Sequence, residues 1–192
     1  SLWTQISLFY SNFFFPPLIG VYCAFLWRFE NFHSCRHTLM TQPVKLSTIY
    51  CSKYCMVCAI TVLTQLWFTV LYLVSGKIVG LPGLPPTDIC GWIVRGTIGG
   101  FVIATVQYLV ASVIRNFAIP IAVGLFGGIS GLLISNTSAG IYWPYSLMLL
   151  GMNSNKYDDM LSSQLPLFFF FSIFYILLFL LLGIWMLGKN ES

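Results

Sequence analysis

The sequence predicts an all-α integral membrane protein, from its scarcity of charge, its long apolar runs and the gathering of basic residues on one side. Of 192 residues, 58% are hydrophobic and only 7% are charged, against about 25% charged in a typical soluble domain. So few charges cannot cover a surface that faces water, whereas about 20 apolar residues suffice to cross a bilayer. Five runs of that kind are present, and residues 1–192 are predicted to form one membrane domain.

The first predicted membrane helix covers about residues 5–27. Pro16 and Pro17 stand near its middle, where the missing amide and the ring clash predict a kink and leave carbonyls in need of partners. A hinge for opening and a fixed bend packed by neighbouring helices both fit this pattern.

The second predicted helix, about residues 54–74, carries a polar stripe. Polar groups in lipid are costly unless they face protein or water, so the stripe is predicted to point inward. Packing between helices and the lining of a substrate path are the two interpretations. The stripe consists of Thr61, Thr64, Gln65 and Thr69.

Small residues recur at four-residue spacing in the third predicted helix, about residues 89–114, and in the fourth, about residues 117–134. That spacing lets another helix backbone approach closely. The predicted packing positions are Gly96, Gly100, Gly124 and Gly128.

The chain leaves the bilayer between residues 135 and 164, yet much of this segment is apolar. Its apolar part, residues 141–151, is too short to span. Tyr142, Trp143 and Tyr145 are of the amphipathic type that favours the headgroup layer, which predicts an interfacial or re-entrant segment. Residues 153–159 are predicted to face water. The fifth helix, about residues 165–187, is nearly all Phe, Leu and Ile and is predicted to meet lipid.

Counting Lys and Arg near the helix ends orients the chain. One side holds six of them and is predicted to be cytoplasmic: Arg28, Arg36, Lys45, Lys53, Arg115 and Lys189. The other side holds three: Lys77, Lys156 and Arg95. Arg95, at the membrane edge, fits either interfacial anchoring or an anionic partner. This orientation makes residues 135–164 extracellular and places Ser1 outside, so at least one further helix is expected before Ser1.

Several classes of function are disfavoured. There is no dense basic patch of the kind that binds nucleic acid. The Cys and His spacings do not give the two Cys-x-x-Cys motifs of a paired metal site. The six cysteines are therefore predicted to be thiols in a reducing compartment. The membrane segments contain no Ser/His pair, no paired carboxylates and no His/Glu metal cluster, so the sequence does not predict an enzyme. No Gly-x-x-x-x-Gly-Lys-Ser/Thr loop is present, so the chain is not expected to bind nucleotide or any other cofactor.

Residues 27–53 form the longest polar interval. Phe29, Phe32 and Leu39 recur at the spacing of an amphipathic helix lying at the membrane surface, and Pro43 ends that run. Composition alone fits two roles equally: a helix held by its basic residues to anionic lipid, and a docking site for a soluble partner.

Two segments resemble a known family. Glu30, then Leu39 and Pro43 in the run Leu-Met-Thr-Gln-Pro, and then Lys53, resemble a type-2 ABC exporter permease, with a glutamate-containing helix, a Leu-x-x-x-Pro segment and a lysine that opens the next helix. The run Ile-Ser-Asn-Thr-Ser-Ala-Gly-Ile-Tyr-Trp-Pro-Tyr at residues 134–145, with its continuation to residue 153, resembles the external segment of lantibiotic immunity permeases. That family has six helices, of which the first has no counterpart here.

The resemblance implies a multi-pass permease subunit, in the membrane of a Gram-positive bacterium, that expels a lantibiotic, an antimicrobial peptide, for self-protection. A cytoplasmic ABC ATPase subunit would bind ATP and magnesium, and a second, homologous permease subunit would complete the path. The residues assigned to ATPase coupling, within a cytoplasmic segment at 27–53, are Phe29, Glu30, Phe32, Arg36, Leu39 and Pro43. The candidate substrate contacts, within an extracellular segment at 135–164, are Tyr142, Trp143, Tyr145, Asp158 and Asp159.

Other interpretations stay open from the sequence. A membrane scaffold or peptide sensor of permease ancestry would move nothing, and an ABC permease for another amphipathic substrate would share the same helices. The external aromatic residues also fit a role as anchors of their loop.

Overall fold

The computed structural model describes residues 2–32, 45–80, 87–154, 159 and 161–189. Every regular element within these ranges is a helix, and five helices there are long and apolar enough to cross a membrane. The predicted all-α membrane fold is therefore confirmed, and what differs lies in the helix bounds and in the external segment.

The first span is a continuous helix in three parts: α1 (Leu2–Phe9), a π-helical turn (Tyr10–Phe14) and α2 (Phe15–Phe32). It is longer than the predicted 5–27. Pro16 and Pro17 lie in the first turn of α2, directly after a widened turn in which the Phe15 amide donates to the Tyr10 carbonyl. Such turns accommodate residues that cannot complete the regular α-helical ladder.

The second span, α3 (Leu46–Ile78), begins eight residues before the predicted start at Tyr54. Lys53 therefore lies within this helix, and does not open it. Thr61 and Gln65 are buried, as the inward orientation of the polar stripe predicts. The Thr61 hydroxyl donates to the Val57 carbonyl one turn earlier, which satisfies it inside the bundle.

The third and fourth spans, α4 (Thr87–Val113) and α5 (Ala118–Ser135), match their predicted bounds within about two residues, the uncertainty of any helix end. Asn116 caps the start of α5, where its Oδ1 accepts the Ala118 amide at 2.9 Å. α4 is the central helix, since it packs against α2, α3, α5 and α7 and buries all of residues 102–108.

Glycines set the spacing where α2 crosses α5. A Cβ atom built on Gly124 would stand 2.6 Å from the Pro16 carbonyl oxygen, and one on Gly20 would stand 2.8 Å from that of Pro120. Gly128 lies against the Asn12 carbonyl, which the missing amide of Pro16 leaves without its usual donor. The two backbones therefore touch along this crossing.

The last span, α7 (Leu165–Lys189), presents many large apolar side chains outward, as expected of a helix that meets lipid. Its inner half touches the bundle where Gly183 lies against the Tyr50 ring. Among the described residues between α5 and α7, the regular elements are a 3-10 turn (Gly140–Tyr142) and the short helix α6 (Leu147–Gly151).

Candidate functional site

The external segment enters the bundle. Leu147, Met148 and Leu149 of α6 have no exposed surface, and α6 packs on α4, where Gly96 lies against Met152. The indole N–H of Trp3 donates to the Met152 carbonyl at 2.8 Å and so ties α1 to the end of the segment. The segment therefore folds back into the helix bundle, and in this sense we call it the re-entrant segment.

The polar residues that follow α6 correct one expectation. Asn153 and Ser154 were predicted to face water, yet 0% and 1% of their surfaces are exposed. Asn153 adopts a left-handed conformation (φ 49°), which lets the Ser154 amide turn back and donate to the Leu149 carbonyl at 3.1 Å. Asparagine tolerates that conformation better than most residues, so the polar residues close the turn.

The three external aromatic residues separate into two roles. Tyr142 and Trp143 are 50% and 39% exposed at the outer end, whereas Tyr145 is 5% exposed. The Trp143 indole N–H donates to the Ser130 hydroxyl at 3.0 Å, and the Tyr142 ring meets Phe171 edge-on at 5.0 Å between centroids. We call Tyr142, Trp143 and Phe171 the outer aromatic ledge.

Tyr145 belongs to a polar cluster in the bundle interior with Gln107 of α4, which is completely buried. With the Gln107 amide oriented to satisfy its neighbours, its oxygen accepts from the Tyr145 hydroxyl at 3.0 Å and the Gly124 amide at 2.9 Å. Its nitrogen donates to the Pro120 carbonyl at 2.9 Å. One side chain thus joins α4 to α5 and to the re-entrant segment.

Gln107→Leu is expected to lower the free energy of unfolding by about 1–3 kcal/mol, the cost of leaving a buried polar group unsatisfied. Most of this cost comes from the Tyr145 hydroxyl, which loses its acceptor. The Gly124 amide and the Pro120 carbonyl are four residues apart in α5 and can form a helical hydrogen bond with each other. A double-mutant cycle with Tyr145→Phe, read from unfolding in mixed micelles, should show a smaller loss in the Phe background. Equal losses in both backgrounds would contradict the assignment.

Arg95 has an anionic partner at the end of α4 that is predicted to be external. Its two terminal nitrogens donate to the Asp159 carboxylate oxygens at 3.2 and 2.9 Å, with 12% and 36% of the two side chains exposed. Although desolvation favours the neutral acid, hydrogen bonds from Arg95 and from the Leu161 amide hold the pKa of Asp159 below its usual range. Of the two interpretations for Arg95, pairing with an anion is what the structure shows. Asp158 lies outside the described residues.

This ion pair predicts a pH dependence. Because the pKa of Asp159 is lower in the folded state, its contribution to stability is present above the ordinary aspartate value of about 4 and is lost as the pH falls through the folded value. The difference in thermal midpoint between wild type and Asp159→Asn should therefore vanish in acid. Solvent screening limits the contribution to about 1 kcal/mol or less.

Arg95→Gln serves as the matched variant. It should reproduce the effect of Asp159→Asn, and the double variant should add nothing further. An Asp159→Asn protein that keeps the full acid sensitivity of wild type would contradict the prediction.

The residues assigned to coupling fall at the opposite end of the bundle. Phe29, Glu30 and Phe32 belong to the last turns of α2. Arg36, Leu39 and Pro43 lie outside the described residues. The chain thus leaves α2 at Phe32 and is described again at Lys45, directly before α3.

A cluster that sequence inspection missed joins the helices flanking that segment. Trp27 of α2 and Tyr50 of α3 stand 6.0 Å apart between ring centroids, and Tyr108 of α4 lies 5.6 and 4.7 Å from them. The Tyr108 hydroxyl donates to the Tyr50 carbonyl at 2.8 Å, and the Lys53 ammonium lies 4.4 Å from the Trp27 ring centroid. We call Trp27, Tyr50, Lys53 and Tyr108 the inner clamp.

The described residues contain no group of three or more His, Cys, Asp or Glu side chains arranged to hold a metal ion. Cys51 and Cys55 are exposed one turn apart on α3, and Cys23 is buried. These cysteines are free thiols in the structure.

Comparison with known proteins defines the family. Residues 1–131, more than half of the chain, match the family model described as ABC-2 family transporter protein. No curated protein and no solved structure gives a significant match. The match covers the first three spans, the inner clamp and most of α5. The chain therefore belongs to the ABC-2 family of transporter proteins, as a multi-pass membrane permease subunit that works with an ATPase subunit.

Proposed function

We propose that the chain is the permease subunit of an ABC exporter that expels a lantibiotic from the cell membrane of a Gram-positive producer. The observation that carries this proposal is the outer aromatic ledge, of which Tyr142 and Trp143 lie within the segment that resembles lantibiotic immunity permeases. A second permease subunit pairs with this one, and the ATPase subunit binds ATP and magnesium.

The ledge suits an amphipathic peptide at the membrane surface. Tyr142 and Trp143 offer large exposed rings, and such rings favour the boundary where one side is apolar and the other wet. They stand next to α6, which is buried, so their positions are fixed before a ligand arrives. A preorganised surface loses little side-chain entropy on binding.

The carboxylates of the segment between α5 and α7 also suit a cationic peptide. Asp159 stands near the outer end of the bundle, where its carboxylate is shared with Arg95. A cationic group of the peptide would compete with Arg95 for that carboxylate. In this proposal Asp158 and Asp159 attract the peptide, and Tyr142 and Trp143 hold its apolar face, while Tyr145 supports the segment from inside.

Force reaches the bundle through its inner end. The proposed coupling residues begin at Phe29 in the last turn of α2 and continue along the sequence to Pro43, before α3. The inner clamp joins α2 and α3 to α4. Closure of the ATPase subunits moves the coupling segment, and the clamp makes α2, α3 and α4 move together. Since α4 also packs against α6, the same movement reaches the external segment.

Survival of sensitive cells tests the proposal. Cells that express the complete operon are expected to resist at least one member of a lantibiotic panel, and the double variant Tyr142→Ala with Trp143→Ala should lose most of that resistance. Trp67→Ala is the matched control, since Trp67 is a 65% exposed tryptophan on α3, away from the ledge. All variants must be shown in the membrane at wild-type levels.

The outcomes separate the candidate functions. Unchanged sensitivity to every lantibiotic would exclude the immunity function. Resistance that survives loss of ATP hydrolysis in the partner would favour a scaffold or sensor. Equal losses in the ledge variant and in Trp67→Ala would remove the ledge from the mechanism.

A further inference from the structure

A cleft of about 380 Å³ opens at the inner end of the bundle, between the end of α2 and the turn that joins α4 to α5. The Lys and Arg count assigns this end to the cytoplasm. The cleft is distinct from the inner clamp, with which it shares only Trp27. Its lining residues are Ala24, Trp27, Arg28, Ala111, Ile114, Arg115, Asn116 and Phe117.

Two exposed arginines give the cleft its charge. Arg28 lies near the end of α2 on one side of the cleft. Arg115 lies on the other side, in the turn between α4 and α5. The Arg28 guanidinium carbon lies 5.6 Å from the centroid of the ring of Phe117, which also lines the cleft. Among the described residues, no carboxylate lines the cleft. The site therefore favours an anion, and guanidinium groups match the oxygens of a phosphate.

A buried donor lines the same cleft. Trp27 is 9% exposed, and its indole N–H has no hydrogen-bond acceptor among the described residues. A buried donor without an acceptor costs about 1–3 kcal/mol, so such groups call for a partner. A phosphate oxygen in the cleft would supply the acceptor. Asn116 also lines the cleft, and its Oδ1 accepts the Ala118 amide.

The rest of the lining is apolar. Ala24, Ala111 and Ile114 form its walls. The Phe25 ring meets that of Phe117, a lining residue, at 4.9 Å between centroids, and Phe25 is 46% exposed. Ile119, two residues after Phe117, is 37% exposed. A free inorganic phosphate would gain nothing from these surfaces, whereas an acyl chain would cover them.

We propose that this cleft binds the headgroup of one anionic phospholipid from the cytoplasmic leaflet. The phosphodiester lies between Arg28 and Arg115 and accepts the Trp27 indole N–H, while the acyl chains run along Phe25 and Ile119. The bound lipid ties the end of α2 to the start of α5, next to the coupling segment. The proposal does not depend on what the transporter carries.

Lipid binding can be counted directly on the detergent-solubilised transporter complex by native mass spectrometry. Phosphatidylglycerol and phosphatidylcholine, titrated separately, should give a first bound lipid with clear preference for phosphatidylglycerol. Arg28→Gln and Arg115→Gln should each weaken that first binding about fivefold, as expected for one basic residue facing an anionic lipid. Trp27→Phe, which keeps the ring and deletes the donor, should weaken it by about tenfold.

Lys45→Gln is the matched control, because it removes an exposed positive charge from the same predicted face outside the cleft. It should leave the first binding unchanged. Inorganic phosphate at millimolar concentration should not displace the lipid.

Three results would overturn the proposal. The first is the absence of any preference for phosphatidylglycerol. The second is a loss in Lys45→Gln equal to that in Arg28→Gln, which would mean general surface attraction. The third is displacement by inorganic phosphate, which would mean a site for the phosphate group alone. Arg28 and Arg115 are exposed, so their variants are expected to fold and give a clear answer.

Discussion

Gly99→Ala is expected to dislodge the re-entrant segment. A Cβ atom on Gly99 of α4 would lie 2.5 Å from both the Cα and the amide nitrogen of Met148, and 2.7 Å from the carbonyl carbon of Leu147. These atoms belong to backbone, which cannot turn aside as a flexible side chain can. Overpacking of this kind costs about 1–3 kcal/mol and sometimes more. The variant should lose thermal stability in detergent, and amides of residues 147–152 should exchange faster with solvent.

Gly91→Ala on the same helix is the matched control. A Cβ atom there would meet no atom within 4 Å, and alanine in a helix is favoured over glycine by about 1 kcal/mol. The two identical substitutions, two turns apart, should therefore have opposite signs. A Gly99→Ala protein as stable as Gly91→Ala, with unchanged exchange at residues 147–152, would contradict the described insertion of α6.

Loss of the contact between α4 and the re-entrant segment is also expected to affect transport. The external segment touches α4 through Gly99 and Gly96, and α4 joins the inner clamp through Tyr108. If movement passes along this path, Gly99→Ala should reduce resistance more than its loss of stability explains. Comparison at a temperature where the variant remains folded separates the two effects.

The spans could be predicted from the sequence because each is long, apolar and ended by polar residues or turn formers. Their bounds were least accurate at the inner ends of the first two spans. There α2 and α3 continue through residues such as Arg28 and Lys53, which hydropathy treats as the end of a span. Both residues instead lie over aromatic rings, Phe117 and Trp27, and such pairing depends on contacts between helices distant in sequence.

The candidate site could be predicted only in part, for a related reason. Tyr142, Trp143 and Tyr145 look alike in the sequence, and composition cannot tell an interfacial aromatic ring from a buried one. Tyr145 is buried because Gln107, 38 residues away, accepts its hydroxyl. Likewise Arg95 could be placed at the membrane edge from its position in α4, whereas its partner Asp159, 64 residues on, needed the fold to bring it near.

Glu30→Ala and Arg36→Ala are each expected to reduce peptide-stimulated ATP hydrolysis to the basal rate, without loss of membrane insertion. Glu30 lies in the last turn of α2, just beyond Trp27 and the inner clamp, and Arg36 belongs to the segment that resembles the coupling region of type-2 exporters. Removing either charge should weaken binding of the ATPase subunit, because loss of one partner of a buried charge pair at an interface lowers the binding free energy by about 2–5 kcal/mol. ATP hydrolysis by the complex, with and without peptide, measures the effect.

Lys77→Ala is the matched control for these variants, because it removes an exposed charge at the outer end of α3. It should leave stimulation intact. A variant of the inner clamp extends the test. Trp27→Ala, which removes the ring packed beside Tyr50 and Tyr108, should leave the ATPase subunit bound but uncouple its hydrolysis from peptide. Normal stimulation in both Glu30→Ala and Arg36→Ala would move coupling elsewhere in the chain. Loss of stimulation in those two variants together with Trp27→Ala would indicate that the ATPase acts on α2 and α3 as one unit.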